Sequence, residues 1–318
     1  MKQFTSVHDV ADIQALIQSS LAIKKDPFAN NNLGKNKTLG LVFFNPSLRT
    51  RMSTQKAAYN LGMHVMMLNI DKDSWALETR DGVVMDGDKV EHAREAIPVM
   101  GQYCDIIGVR SFAGLQNRQS DYTEEVLNQF IALSGKPIVS LESATRHPLQ
   151  SLADLATIEE YKQTSKPKIV MTWAPHIKAL PQAVPNSFAE WVLATGYDLS
   201  IAQPHGFELA EEFTQGATVE YDQTKALENA DFIYVKNWSS YKDYGQTASH
   251  LRSWTVDQSK LVHAPQAKVM HCLPVRRNLV IADDVLDSPA SIVIQQAANR
   301  EFAAQAVLLK MLGGIQKA

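Results

Sequence analysis

The chain lacks most of the features that announce a function. It has two cysteines, Cys104 and Cys272, far apart and in no CxxC or metal-ligand spacing. That usage excludes a disulfide scaffold and fits reduced thiols in an intracellular protein. No apolar run approaches the roughly 18 residues that a membrane span requires. Lys and Arg total 31 against 34 Asp and Glu, a formal net charge of −3. Without a concentrated positive field a nucleic-acid surface is excluded, and any anion site must be local. There is no GxGxxG and no GxxxxGK[ST], so neither a dinucleotide fingerprint nor a P-loop is available. No fixed-period repeat or low-complexity tract appears. A soluble, cytoplasmic protein with no nucleic-acid or membrane partner is expected.

What is present is a pattern. The 318 residues, 45% of them apolar, are enough for two α/β cores. Short runs rich in Val and Ile alternate with longer segments of helical period, as in parallel strands joined by helices. Strands are expected at "TLGLVFF" (38–44), "HVMMLN" (64–69), "DIIGVR" (105–110), "PIVSL" (137–141), "KIVMTW" (168–173), "DLSIAQ" (198–203), "DFIYV" (231–235) and "KVMHCL" (268–273). Helices are expected at the N-terminal "MKQFTSVHDVADIQALIQ" and at "STQKAAYNLG", "YTEEVLNQFIAL", "PLQSLADLATIEEYK", "SFAEWVLATG" and "NREFAAQAVLLKML". A junction within 145–165 divides the strands four and four.

One acidic segment, "DKDSWALETRDGVVMDGDK" (71–89), is too long for an ordinary connection. A calcium loop beginning at Asp71 fails, because its twelfth position is Gly82 where a bidentate Glu is needed. A mobile surface loop accounts for the composition but not for Trp75, since a large aromatic usually packs on something.

Polar clusters fall where strands end. "FFNPSLRTRMS" (43–53) puts Ser47, Arg49, Thr50 and Arg51 at a strand-to-helix turn, where free N–H groups and the helix dipole favour an anion. Arginine forks match phosphate oxygens, although two arginines on a first turn can equally be a solvated face. "SATRHPLQ" brings His147 and Gln150 to a helix start with Pro148 first. "MHCLPVRRN" places His271, Cys272, Arg276 and Arg277 after a strand, and Arg110 closes "DIIGVR". Ligands of open parallel sheets bind beyond the carboxyl ends of strands, so these clusters are expected to converge on one cleft.

"SLRTR", "HPLQ" and "HCLP", in this order and spacing, resemble the transcarbamoylase family motifs S-T-R-T-R, H-P-x-Q and H-C-L-P. The resemblance covers essentially the whole chain. It extends to "QQAANR" (295–300), where Ala298 stands in place of the family's Glu. It implies two doubly wound parallel-sheet domains with the active site in the interdomain cleft. Residues 1–150 would bind carbamoyl phosphate, with helix 296–318 packing back, and 151–295 would bind the amine acceptor. No cofactor and no metal is implied, and the assembly would be a homotrimer with shared sites.

By the same resemblance, Ser47, Leu48, Arg49, Thr50, Arg51, Trp75 and Arg300 hold carbamoyl phosphate. Arg110 and His147 serve the carbonyl oxygen, and Gln150 and the Leu273 carbonyl serve the carbamoyl NH₂. Ornithine enzymes of the family carry D-x-W-x-S-M-G, whose Asp pairs with the substrate's free α-ammonium. Here the stretch is "VKNWSSYKDYG", with Lys236 in place of that Asp. A lysine repels an ammonium and attracts a carboxylate, which points to an N-acylated ornithine. "HIKALPQAVPNS" (176–187), "SWALE" and Leu48 also resemble the N-acetylornithine and N-succinylornithine subgroup. Glu142, His176, Lys236, Cys272 and Arg277 are assigned to the acceptor. Val90 would read the acyl end, where acetyl enzymes have Glu and succinyl enzymes Pro; an apolar Val90 favours succinyl without excluding acetyl. Ornithine, aspartate or putrescine as acceptor, or a non-catalytic anion-binding homologue, are the rival readings. The proton acceptor is left open among His176, Cys272 and the departing phosphate.

Overall fold

A computed structural model describes residues 1–315; the end of the expected C-terminal helix, 316–318, lies outside them. The chain divides into two compact units: 1–114, 119–149 and 300 onward in the first, 115–118 and 150–299 in the second.

The first unit contains strands β1 (Gln3–Phe4), β2 (Thr38–Phe43), β3 (His64–Asn69), β4 (Leu77–Glu78), β5 (Glu91–His92), β6 (Ile106–Arg110) and β7 (Ile138–Glu142). Its main sheet has the order β1-β7-β6-β2-β3, and every pairing is parallel. Leu39, Leu41, Val42 and Phe43 of β2 and Ile106, Ile107 and Val109 of β6 are all buried. Helices cover both faces of a parallel sheet, so its strands read as continuous apolar runs rather than alternating ones. Gly40 leaves room for the Cys104 side chain, since a Cβ there would lie 2.6 Å from Sγ. Burial pushes the Cys104 thiol up, consistent with a small hydrophobe rather than a nucleophile.

The second unit contains β8 (Lys168–Trp173), β9 (Asp198–Ala202), β10 (Thr218–Glu220), β11 (Phe232–Lys236) and β12 (Lys268–Met270), in the parallel order β10-β9-β8-β11-β12. Its core gathers Val170, Leu227, Ile233, Val235, Val269 and Ile281. Both sheets are thus five-stranded and parallel, the doubly wound α/β class.

The expected elements differ from the observed ones at several ends. The N-terminal stretch splits into two-residue β1 and helix Ile13–Lys25, whose N-cap Asp12 accepts from the Ala15 N–H at 2.8 Å. Strand β12 stops at Met270 rather than 273 because the next donors are taken by side chains. His271 N–H goes to Gln296 Oε1 at 2.8 Å and Leu273 N–H to His271 Nδ1 at 2.8 Å. Helix Ala183–Ala194 starts four residues before "SFAEWVLATG", with Pro185 tolerated in its first turn. Helix Val293–Ile315 begins three residues before the expected 296 and contributes residues to both units. Within 71–89, β4 pairs with β5 and Leu77 is buried, so part of this segment is pinned.

Candidate active site

In the first unit the polar clusters follow the carboxyl ends of β2, β6 and β7. Helix Arg49–Asn60 begins six residues after β2 ends, and Ser47 Oγ accepts the Thr50 N–H at 3.2 Å. Arg49 and Arg51 are half-buried; Arg51 donates to Asn69 Oδ1 at 2.7 Å and lies 5.4 Å from the centre of the Phe43 ring. Leu48 is exposed. Thr50 Oγ1 accepts from Arg300 Nη2 at 2.7 Å, and Arg300 Nη1 lies 3.5 Å from His147 Nε2. His147 Nε2 is in turn 3.6 Å from Glu142 Oε2, which accepts from Arg110 Nη2 at 2.9 Å. Arg110 also donates to the Pro46 carbonyl and stacks 4.2 Å over Phe112. Thr50, Arg300, His147, Glu142 and Arg110 are all at least nine-tenths buried and form one chain. Sequence spacing separated them by up to 250 positions; the sheet brings them together.

The loop leading to His147 is held by a residue that sequence reasoning missed. Glu124 accepts from Ser143 Oγ at 2.6 Å, Ala144 N at 3.1 Å, Thr145 N at 2.7 Å and Thr145 Oγ1. Nothing in "YTEEVLNQFIAL" identifies donors 20 residues away. Trp75 and Val90 lie together on the β4–β5 ribbon, both more than half exposed: Trp75 Nε1 donates to Glu91 Oε2 at 2.8 Å, and the Val90 N–H approaches the Ala76 carbonyl at 3.4 Å.

In the second unit, Lys236 ends β11 and is buried despite its charge. The next residues are clamped: Asn237 Nδ2 donates to the Ala174 carbonyl at 2.6 Å, and Gln182 Nε2 to the Ser239 carbonyl at 2.7 Å. His176 follows the end of β8, and Arg276 Nε donates to its Nε2 at 3.2 Å. An arginine can only donate, so Nε2 is the acceptor, while Nδ1 lies 2.9 Å from the Lys178 carbonyl and 3.0 Å from the Lys178 N–H. Burial, and then the charges of Lys236, Arg276 and Lys178, push His176 below the usual imidazole range against the pull of that carbonyl.

Arg277, expected at the acceptor, is paired with carboxylates. It is more than half exposed and committed to Asp283 (2.8 Å) and Asp287 (2.7 and 2.8 Å), which raise its pKa further. Its neighbour Arg276 turns to His176 instead. A pair of adjacent arginines does not say which one meets the downstream "DDVLD" carboxylates, so the sequence could not separate them. Cys272 is buried, and the fully buried Tyr234 hydroxyl faces both it and Asp154. Leu273 sits at φ 56°, a conformation that costs a non-glycine residue about 1–3 kcal/mol and tends to occur where function aims the backbone. Gln150 Nε2 donates to Asp154 Oδ1 at 2.8 Å. Among the described residues no group of three or more His, Cys, Asp or Glu could hold a metal ion, and no helix is long and apolar enough to cross a membrane.

The first unit therefore gathers donors suited to a phosphate and a developing oxyanion, and the second gathers cations suited to carboxylates. Residues 2–160 match the aspartate/ornithine carbamoyltransferase carbamoyl-P binding domain, and residues 181–311 match the Asp/Orn binding domain of the same family. The chain belongs to the aspartate/ornithine carbamoyltransferase family. A Bacteroides thetaiotaomicron protein named N-succinylornithine carbamoyltransferase is 59% identical over 318 residues, 99% of this chain and 100% of its own length. The N-acetylornithine carbamoyltransferase of Xanthomonas campestris pv. campestris is 33% identical, covering 98% of each. Among solved structures, a glutamate-to-valine mutant of N-acetyl-L-ornithine transcarbamylase, complexed with carbamyl phosphate and N-succinyl-L-norvaline, matches with a TM-score of 0.92. It is 32% identical and covers 98% of this chain and 100% of that one.

His176 should titrate below 6.5, its ordinary value, and so remain neutral at pH 7. In Arg276→Met the midpoint should rise but stay below the ordinary value, because burial is the larger cause. Histidine side-chain NMR across pH 4–8 reads this; a midpoint at or above the ordinary value in the unaltered protein would contradict it.

Proposed function

We propose that this carbamoyltransferase acts on N-succinyl-L-ornithine, giving N-succinyl-L-citrulline and phosphate in arginine biosynthesis. The observation that carries the reading is the buried Lys236, whose charge acts on the neutral His176 together with those of Arg276 and Lys178, at the place where ornithine enzymes need an acid. An N-succinylated acceptor has two carboxylates and no α-ammonium, and suits such a field. The 59% identical relative bears the same name.

Ser47, Leu48, Arg49, Thr50, Arg51, Trp75 and Arg300 would hold the phosphate, with backbone N–H groups at the helix start adding to the side chains. Arg110 and His147 would stabilise charge on the carbonyl oxygen as it develops. Gln150 and the Leu273 carbonyl would orient the carbamoyl NH₂. Glu142, His176, Lys236, Cys272 and Val90 would hold the acceptor, with Arg276 replacing Arg277 because Arg277 is committed to two aspartates. The neutral δ-amine attacks the carbamoyl carbon. The C–N bond forms as the bond to the phosphate oxygen breaks, the electron pair leaves with phosphate, and the amine proton passes to phosphate, His176 or Cys272.

Position 90 decides between acyl groups. A glutamate there would face the distal succinyl carboxylate, and like charges in a partly desolvated pocket repel. Valine removes the repulsion, and the glutamate-to-valine mutant of the acetylornithine enzyme is complexed with a succinylated ligand. Cytoplasmic homotrimers in which Trp75 reaches a neighbouring subunit's site complete the reading; its exposure on the β4–β5 ribbon supports this.

A citrulline assay with carbamoyl phosphate and each of succinylornithine, acetylornithine, ornithine and aspartate should give the highest kcat/KM for succinylornithine. Val90→Glu should shift the ratio towards acetylornithine, chiefly by losing the succinylated substrate. Preference for ornithine, or an unchanged ratio in Val90→Glu, would overturn the acceptor assignment.

For the shared site, Arg49→Ala should lose a charge-assisted contact of about 1.5–3 kcal/mol, and Trp75→Ala should lose closure over carbamoyl phosphate. Mixing and reassembling the two should restore activity in sites that carry neither lesion. No recovery in mixed trimers confirmed by mass would mean that each subunit works alone.

A further inference from the structure

Glu124 stands in a backbone conformation that its side chain disfavours. It precedes helix Glu125–Leu133 at φ 53° and ψ 37°, in the left-handed region. Glycine occupies that region freely, and an L residue with a long side chain does so only under constraint. Nor does its side chain cap the helix that it precedes. Strain of this kind persists where the surrounding structure enforces it, and it points to a use. The use is visible in the carboxylate, which is turned across to the segment between β7 and His147.

That segment is the largely buried loop Ser143–Arg146, whose backbone donors can be followed one by one. The Ser143 N–H goes to the Arg146 carbonyl at 2.8 Å, and the Arg146 N–H to Ser143 Oγ at 3.2 Å. The two between them, on Ala144 and Thr145, go to Glu124 at 3.1 and 2.7 Å, and both residues are at least nine-tenths buried. The Ser143 and Thr145 hydroxyls donate to the same carboxylate. Half of the loop's N–H groups therefore depend on one side chain, and a buried N–H left without an acceptor is costly enough to make the loop move. Site residues flank it, Glu142 before and His147 after. His147 Nε2 lies 3.6 Å from Glu142 Oε2 and 3.5 Å from Arg300 Nη1. These contacts are at the limit of reach, so a small displacement of the loop alters both.

We infer that Glu124 is a positioning residue for the transfer reaction: its carboxylate fixes the Ser143–Arg146 loop, and through it the place of the His147 imidazole, in exchange for a left-handed backbone. This rests on the reading of His147 as a partner of the carbamoyl oxygen. Glu124 acts only through the loop.

Glu124→Ala and Glu124→Gly both remove the carboxylate, and only the glycine also relieves the backbone. The glycine variant should therefore unfold at higher urea than the alanine variant. Both should lose kcat by roughly tenfold or more, with a smaller change in KM for carbamoyl phosphate, measured with whichever acceptor gives the highest kcat/KM. In a His147→Ala background either change should cost less than about twofold further, because the loop no longer carries a group to place. Recovery of kcat in step with the urea midpoint, or full additivity with His147→Ala, would overturn the proposal by making Glu124 merely structural. Should both variants fail to fold, Glu124→Gln decides, since it keeps the side chain's length and one accepting oxygen. A loss of kcat that disappears in the His147→Ala background supports the proposal; an unchanged kcat or an additive loss overturns it. A crystal structure of whichever variant folds, without ligands, gives a second reading: a displaced His147 ring supports the proposal, and an unmoved one overturns it. That structure needs neither substrate, so it stands apart from any failure of the transfer assay.

Discussion

Buried guanidinium charge is the constraint on which the first unit depends. Arg110 and Arg300 are at least nine-tenths buried, and an arginine cannot shed its charge as a buried lysine can. Each must be met by fixed partners before any substrate arrives. Glu142 and the Pro46 carbonyl meet Arg110; Thr50 Oγ1 meets Arg300. His147 lies between the two arginines, within 3.6 Å of Glu142 and 3.5 Å of Arg300. The arrangement explains why carboxylates and hydroxyls stand among groups that an anion site would otherwise reserve for cations. They hold the charges in place, so the guanidinium groups are ordered by the protein's own contacts.

The second unit is arranged differently. His176 responds to three nearby cations, and Lys236 is buried at a strand end. Two adjacent arginines divide the work: Arg277 is neutralised by Asp283 and Asp287, while Arg276 bonds to His176. Surface pairs such as those of Arg277 contribute little stability; their effect is to remove one of two similar charges from the field. A cation buried at a strand end favours carboxylates over ammonium groups in its surroundings, and the acceptor proposed above follows from that.

Much of this was legible in the sequence, for identifiable reasons. "HVMMLN" and "KIVMTW" coincide with β3 and β8 residue for residue; β8 is buried from Ile169 to Trp173 and reads as an unbroken apolar run, while β3 is an edge strand, only half-buried, that is still marked by its apolar run. The polar clusters stood at strand ends, where parallel sheets bind ligands, and the motifs SLRTR, HPLQ and HCLP carried the family. Less visible was anything that depends on side-chain pairing over long separations. Glu124 reaches 20 residues along the chain and Asp154 reaches 142 to Gln296. Which of Arg276 and Arg277 pairs with Asp283 and Asp287 depends on carboxylates further downstream, and β1 and β10 are too short to leave a periodic signal.

The pairing of Arg110 by Glu142 is open to direct measurement: the urea midpoint of the unaltered protein and of Glu142→Gln, each with and without carbamoyl phosphate at fixed temperature. Breaking a buried pair from one side typically costs about 3–5 kcal/mol. Glu142→Gln should therefore unfold at clearly lower urea, and carbamoyl phosphate should raise its midpoint more than that of the unaltered protein, since the ligand then supplies the missing negative charge. Equal midpoints and equal ligand increments in the two proteins would mean that Arg110 does not depend on Glu142.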